Sequence, residues 1–210
     1  MDLYVTLTPE YQDIITRLKG GDKLLDVGCC FGHILRQMAF DGAPAKNLVG
    51  ADLRTEFVEL GYELFCDKSR FEAQFVTGDI LDDQDSALAA ALDGKFDMIH
   101  AASFFHLFGW DDQVRVGERL VRFLKTGAKD ALVLGRQVGS ENPPNLEEYY
   151  ASGKRLYPHN VESFQRMWDI IGEKTGTKWR VSGGLFEMPF DAVSGTMINF
   201  VVRKVDQHLQ

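Results

Sequence analysis

Residues Leu24–His33 read LLDVGCCFGH and carry the strongest indication of the fold. A short apolar run stops on Asp26 and turns through Gly28 and Gly32 directly into apolar residues at helical spacing. Glycine suits a turn between strand and helix because it accepts positive φ and lets a ligand approach the backbone closely. The following helix presents free N–H groups and the positive end of its dipole. We therefore expect a carboxylate, a phosphate or a ribose to bind at this loop.

Two further predicted strands also end in an acid. Asp52 closes the run NLVGAD and lies about 20 residues beyond the glycine loop, where a Rossmann-like unit holds the two ribose hydroxyls. Asp79 closes the run FEAQFVTGD. Ligands bind at the carboxyl ends of the strands in an open α/β sheet, so these acids and Asp26 are expected to share one edge. A helix cap is the alternative role for Asp79.

Extended and helical patterns alternate along most of the chain. After a helix predicted at 9–19, strands are expected at 23–28, 47–52, 71–77, 95–101 and 129–136, with helices at 31–40, 54–65, 84–92 and 111–124. Such repetition forms a parallel sheet with helices on both faces. The sequence therefore predicts a Rossmann-like αβα sandwich in three layers.

The last third departs from this alternation. We expect a loop at 137–159, and a helix follows in which Phe164, Met167, Trp168 and Ile171 repeat at helical spacing. Two extended runs, 177–188 and 195–205, are joined by the short link 189–194, which favours antiparallel pairing. The prediction is a mostly parallel seven-stranded sheet with a C-terminal antiparallel hairpin, in a single domain 1–210. Within it, 1–20 is a short N-terminal helix and 137–160 an insertion on the substrate side.

The composition excludes several classes of protein. A chain of 210 residues, 45% of them hydrophobic, is large enough for one packed domain. A net charge of −8 with scattered Lys and Arg argues against nucleic acid. The N-terminus lacks a signal-peptide pattern and no apolar run reaches the roughly 18 residues of a membrane span, so we expect a cytoplasmic protein with no membrane partner. Three cysteines, including the neighbours Cys29 and Cys30, predict neither disulfides nor a metal site.

This arrangement of strands, glycine loop and acids resembles the class I S-adenosylmethionine-dependent methyltransferases. The resemblance implies that four residues lie against the methionine part of the cofactor: Asp26, Gly28, Cys30 and Gly32. It assigns the ribose and the adenine edge to two pairs that follow strands: Asp52 with Leu53, and Asp79 with Ile80. Cys30 stands where the family usually has a glycine, and cysteine is also small.

Five segments carry a narrower resemblance: DVGCCFGHILRQMAFDGAP, ELGYELFCD, SFFHLFGWDDQ, GRQVG and YPHNVESFQRMWDIIGEKTGTKW. They are similar to fungal methyltransferases of polyketide and meroterpenoid pathways, some of which esterify a carboxyl group on a terpenoid intermediate. The resemblance implies an O-methyltransferase whose small-molecule acceptor is an apolar carboxylic acid. A homodimer and a phenolic acceptor stay open.

The acceptor chemistry determines whether a base is needed. A carboxylate is already ionised at neutral pH, whereas a phenol, with a pKa of about 10, benefits from a base. His106 and His159 are the candidates because they follow predicted strands, and histidine titrates near neutrality. Either could instead be structural. Less weight falls on His33, His100 and His208.

Other side chains near the predicted ends of strands four and five could contact an acceptor. Arg136, with Gln137 beside it, could pair with a carboxylate through its two-pronged guanidinium, or with an acid of the protein. Phe104 and Trp110 could form the wall of an apolar substrate site, or belong to the core.

Two other functions compete with methyl transfer. An NAD-dependent oxidoreductase is disfavoured because the loop reads GCCFG and lacks the G-x-G-x-x-G pattern. A protein that uses this scaffold as an isomerase, a cyclase or a pathway partner stays open. Only about 20 residues precede the first predicted strand, and a site poorly covered by so short a segment would admit water and hold the substrate loosely.

Overall fold

The computed structural model describes residues 4–128, 130–188 and 195–205. The strands are β1 (Leu24–Val27), β2 (Leu48–Asp52), β3 (Gln74–Thr77), β4 (Met98–His100), β5 (Leu132–Val138), β6 (Trp179–Met188) and β7 (Gly195–Lys204). The α-helices are α1 (Tyr11–Lys19), α2 (His33–Phe40), α3 (Thr55–Phe65), α4 (Ser86–Leu92), α5 (Trp110–Phe123), α6 (Leu146–Ser152) and α7 (Val161–Thr175). The sheet has seven strands in the order β3-β2-β1-β4-β5-β7-β6, which confirms the predicted Rossmann-like fold.

The chain divides into two compact units. The N-terminal unit comprises 1–100 with 123–126, and the C-terminal unit comprises 101–122 with 127–210. Within the described residues, no helix combines the length and the apolar character that crossing a membrane requires.

The N-terminal unit is built on parallel strands. β1 pairs with β2 on one side and with β4 on the other, and β2 pairs with β3. Every residue of β1 is buried, as expected for a central strand of a parallel sheet, which is covered on both faces. The register places Asp26 opposite both Gly50 and His100. The acid of the first strand therefore has a histidine as its neighbour on β4.

The C-terminal unit ends in the predicted antiparallel strands. β7 pairs with β5 and with β6, and the link 189–194 lies outside the described residues. The apolar stripe predicted on α7 is buried completely: Phe164, Met167, Trp168 and Ile171. Asn160 begins this helix with a capping box, and Gly176 ends it in the left-handed conformation.

The loop predicted at 137–159 is only partly a loop. β5 continues through Val138 because its ladder with β7 reaches Met197. The stretch also holds α6, which begins at a capping box formed by Asn145 and Glu148. The Asn-x-x-Glu signal was present in the sequence, but the helix is too short to show a clear apolar period.

Candidate functional site

The glycine loop is held to the end of β2 by backbone hydrogen bonds. The N–H groups of Gly28 and Cys29 both donate to the carbonyl oxygen of Ala51, at 2.8 and 3.1 Å. The N–H of Cys30 donates to the Oδ2 atom of Asp52 at 2.8 Å. Gly28 and Cys30 both have positive φ, 68° and 50°. The loop and the second acid, predicted from separate parts of the sequence, are thus joined directly.

Gly32 shapes the start of α2. Its φ is 64°, and a Cβ atom there would lie 2.7 Å from the ring of Phe75, so only glycine fits. As the N-cap of α2, Gly32 also provides no side chain to accept from the first turn. The N–H groups of that turn and the helix dipole fit an anionic group, such as the carboxylate of an amino acid.

Asp52 keeps acceptor capacity beyond its contacts with the protein. Its Oδ2 atom accepts from Cys30, and its Oδ1 atom accepts from the N–H of Arg54 at 3.0 Å. An ionised carboxylate offers about four acceptor positions, and these two bonds use two of them. The side chain is half-buried at the carboxyl end of β2. It can therefore accept from two ribose hydroxyls while still holding the loop.

Asp26 is paired with a residue that the sequence did not single out for chemistry. Its Oδ1 atom lies 2.7 Å from the Nδ1 atom of His100, and both side chains are buried. A carboxylate buried at a strand end needs such a partner. Local sequence carries no signal for this pair, because its members are brought together only by the β1–β4 register.

Asp79 forms the turn that follows β3. Its Oδ1 atom accepts from the N–H of Leu81 at 2.9 Å, an Asx turn, and the side chain is exposed. The helix-cap alternative for Asp79 is wrong because Asp85 caps α4 by accepting from Leu88. Ile80 is half-buried.

The loop cysteines are small neutral residues. Burial raises the pKa of the Cys29 thiol well above its usual range, and the neighbouring carboxylates of Asp26 and Asp52 raise it further. Burial also raises the pKa of the Cys30 thiol. No cluster of three or more His, Cys, Asp or Glu side chains in the described part of the chain could hold a metal ion.

In the C-terminal unit, His159 lies in a closed hydrogen-bond network. Its Nε2 atom is 3.0 Å from Oε1 of Gln113, and its Nδ1 atom is 3.0 Å from Oγ of Ser163. Gln113 donates its amide N–H groups to the carbonyl oxygens of Phe108 and Tyr157, so its Oε1 must accept from His159. Gln113 was missed in the sequence, where nothing local marks it.

Burial decides the protonation of His159. Its side chain is 0% exposed, and this desolvation, aided by the charge of Arg166, lowers its pKa to about 3. The ring is therefore neutral at physiological pH, with both nitrogens occupied. The structure leaves no free ring nitrogen for the role of base that we considered for His159.

His106 differs from His159 in its hydrogen bonding. It is half-buried in the short turn Phe105–Leu107, and its Nδ1 atom is buried with no hydrogen-bond partner among the described residues. Burial lowers its pKa, so the ring is neutral near pH 7. An unpaired buried polar atom costs about 1–3 kcal/mol. Of the two candidate histidines, His106 is the one whose Nδ1 atom no described residue occupies.

The two aromatic candidates differ in their surroundings. Trp110 begins α5, and its ring packs 4.9 Å from that of Tyr157 and 5.7 Å from that of His159, inside the C-terminal unit. Phe104 is 9% exposed, and its ring lies edge to face with that of Phe108 at 5.4 Å. Both side chains are buried, and Phe104 is slightly more exposed than Trp110, which is 4% exposed.

Arg136 and Gln137 point to opposite faces of the sheet because successive side chains alternate along a strand. Both are buried, and Gln137 lies opposite the fully buried Ile198. Neither polar atom of the Gln137 amide has a hydrogen-bond partner among the described residues. A ligand on one face of the sheet therefore cannot contact both side chains. Arg136 also fixes the segment that leads to His106, since its carbonyl oxygen accepts from the N–H of Ser103 at 2.6 Å.

Comparison with known proteins agrees with this geometry. A family model described as a methyltransferase domain matches residues 24–127. The O-methyltransferase phiE of a fungal species is 41% identical over 83% of this chain and 57% of its own length. The methyltransferase ausD of Aspergillus calidoustus is 39% identical over 92% of this chain and 68% of its own. The asnovolin E/chermesin D methyltransferase nvfJ of Aspergillus novofumigatus is 32% identical over 97% of this chain and 73% of its own.

Solved structures show the same fold. The YcgJ protein of Bacillus subtilis aligns over 94% of this chain and 98% of its own with a TM-score of 0.64, at 15% identity.

The first relatives are longer than this chain, which spans 57 to 64% of phiE and of the methyltransferases adrK from two Penicillium species. The resemblance read from the motifs is confirmed: the chain belongs to the methyltransferase family and has fungal methyltransferases as its relatives.

Proposed function

We propose that this chain binds S-adenosylmethionine in its N-terminal unit and methylates an oxygen atom of a small apolar natural product. The observation that carries the proposal is the 2.8 Å hydrogen bond from the Cys30 N–H to Asp52, which joins the glycine loop to the acid of the second strand. Family membership and the name of phiE, an O-methyltransferase, support it.

Each part of the N-terminal site has a task in cofactor binding. S-adenosylmethionine, when bound, supplies a methyl group on a positively charged sulfur, open to in-line displacement by an oxygen nucleophile. Asp52 would accept from the ribose hydroxyls, and the first turn of α2 beyond Gly32 would bind the carboxylate of the methionine part. Asp79 and Ile80 would meet the adenine edge. Asp26 would lie beside the methionine part, with its carboxylate oriented by His100.

For the acceptor we propose a carboxylic acid on an apolar polyketide or terpenoid skeleton, which would give a methyl ester. A carboxylate is ionised at neutral pH, so the protein needs only to bind and align it. The guanidinium of Arg136 near the end of β5 favours an anion, and Phe104 favours an apolar skeleton. The relative nvfJ is named for methyl transfer to asnovolin E and chermesin D, which supports a discrete compound as the acceptor.

A phenol is the second candidate acceptor, and His106 favours it. A neutral imidazole whose Nδ1 atom has no partner among the described residues could take the proton of a phenolic acceptor. The same nitrogen, if protonated, could donate to a carboxylate instead. Both acceptors place a ligand oxygen at His106.

The experiment has two steps. Calorimetric titration with S-adenosylhomocysteine and, separately, with NAD should show binding of the first alone. Incubation with trideuteromethyl-labelled cofactor and hydroxybenzoic or terpenoid acids should then yield a labelled product. Release of the label by mild alkali identifies an ester, and its retention identifies an ether. Binding of NAD alone contradicts the proposal, and cofactor binding with no methylated product across the panel favours a non-methylating protein.

A further inference from the structure

Arg36 on α2 joins the glycine loop to a distant part of the N-terminal unit. Its Nη1 atom donates to the carbonyl oxygens of Phe31 and Gly32, at 2.7 and 3.3 Å. The other side of the guanidinium, Nε and Nη2, donates to the two carboxylate oxygens of Asp67, at 2.7 and 2.9 Å. One planar group therefore holds two loop carbonyls and one carboxylate at the same time.

The surroundings of Arg36 keep this geometry rigid. Four aromatic rings lie with their centroids 4.6 to 5.8 Å from the guanidinium carbon, those of Tyr62, Phe65, Phe71 and Phe75. The side chain is only 9% exposed. Aromatic faces attract a cation more strongly when water is excluded, and the two-pronged pair with Asp67 fixes the plane of the guanidinium.

Holding these carbonyls orients the N–H groups on the far side of the same peptides, of which the Gly32 N–H donates to the carbonyl oxygen of Cys29 at 2.7 Å and the His33 N–H begins α2. The C=O and N–H of a planar trans peptide point in opposite directions. When Arg36 holds the carbonyl of Gly32, the N–H of His33, the first residue of α2, must point away from Arg36. That N–H belongs to the turn that fits an anionic group.

The backbone is shaped for this contact at two glycines. A Cβ atom on Gly32 would lie 2.8 Å from the Nη1 atom of Arg36. A Cβ atom on Gly61 of α3 would lie 2.4 Å from the carbonyl oxygen of Phe31. Both glycines leave the Phe31 and Gly32 peptides room to face Arg36.

We infer that Arg36 is a positioning residue for the cofactor: it fixes the carbonyl groups of Phe31 and Gly32, and through the Gly32–His33 peptide it aims the N–H of His33 at the start of α2. This inference rests on the proposed function, because it names what orients the site at which S-adenosylmethionine would bind. Lysine cannot replace Arg36, since an ammonium group lacks the planar set of five donors.

Three variants test the inference: Arg36→Lys, Arg36→Met and Asp67→Asn. The matched control is Arg17→Ala, which removes another Arg–Asp pair of the same unit, in which Nε of Arg17 lies 2.8 Å from Asp22. Circular dichroism and thermal melting establish which variants are folded at the assay temperature. Calorimetric titration with S-adenosylhomocysteine and hydrogen exchange of residues 28–33 are then compared.

We expect Arg36→Met and Arg36→Lys to bind S-adenosylhomocysteine at least about tenfold more weakly, with faster exchange in the loop. Asp67→Asn should show a smaller change in the same direction, and Arg17→Ala should bind as the wild type does even if its melting temperature falls. If Arg36→Met does not fold, Arg36→Lys and Asp67→Asn decide. Wild-type affinity and wild-type loop exchange in any folded Arg36 variant overturn the inference. Failure of the wild type to bind S-adenosylhomocysteine overturns the proposed function instead.

Discussion

The Nδ1 atom of His100 lies 2.7 Å from the Oδ1 atom of Asp26, where two neighbouring strands bury both side chains. Removal of the histidine would leave a carboxylate in the interior without this partner. We expect His100→Leu to destabilise the protein by about 3 kcal/mol. In a double-mutant cycle measured by urea unfolding, adding Asp26→Asn should recover at least about 1 kcal/mol relative to the sum of the single changes. Additive effects would show that the two side chains are not coupled.

Asp52 should carry much of the cofactor affinity. Asp52→Ala removes the carboxylate that we propose accepts from the ribose hydroxyls, and it also frees the Cys30 N–H. Lost hydrogen bonds to a charged group cost about 1.5–3 kcal/mol, so affinity for S-adenosylhomocysteine should fall roughly tenfold to a hundredfold. Asp22→Ala is the control, because Asp22 pairs with Arg17 and not with the loop. Unchanged titration curves for Asp52→Ala would remove Asp52 from the cofactor site.

His106 should affect turnover more than cofactor binding. Burial lowers its pKa from the usual value of 6.5, so the basic form predominates at neutral pH. With a phenolic acceptor, turnover should rise with pH on the acid side of neutrality and level off near neutral pH, and His106→Gln should abolish that rise. With a carboxylic acid, the rate should be nearly flat from about pH 6 to 8. Equal rates and equal pH profiles in wild type and His106→Gln would assign His106 a structural role.

His159 should make stability fall in acid. Its pKa is lowered from 6.5 to about 3 on folding, so between these values the unfolded chain binds a proton that the folded chain does not. Stability is therefore complete above pH 6.5 and is lost as the pH falls towards 3. At about pH 5 the loss amounts to roughly 2 kcal/mol. His159→Gln lacks this loss. The free energy of unfolding of the wild type, measured with urea, should therefore fall by that amount relative to that of the variant between pH 7 and 5. A constant gap would contradict the prediction.

The variant Gln137→Met tests whether the buried amide of Gln137 has a structural role or binds the acceptor. Its buried amide has no hydrogen-bond partner among the described residues, so Gln137→Met should stabilise the protein by about 1 kcal/mol by removing that cost. Turnover should be unchanged if the amide is only structural. A large fall in turnover with stability raised would instead show that Gln137 binds the acceptor, and the melting temperature and the steady-state rate separate these outcomes.

How far the sequence could predict the site depends on how local each feature is. The loop from Gly28 to Gly32 and the acids Asp52 and Asp79 were readable because glycines, strand ends and helical spacing are properties of short stretches. Helix α6 was missed, since seven residues are too few for an apolar period to emerge above the loop signals around them.

Local sequence is enough to predict the alternation of strands and helices, the glycine loop and the acids at the strand ends, because each depends on conformational preferences within a few residues. The packed fold is needed to show which of two similar histidines has a ring nitrogen without a partner among the described residues. Gln113 reaches His159 across 46 positions of sequence, and no described residue reaches the Nδ1 atom of His106. The same holds for Arg36 and its partner Asp67, 31 positions away. Hydrogen-bond partners and desolvation depend on which distant residues the packed core brings within about 3 Å, and local sequence carries no record of that distance.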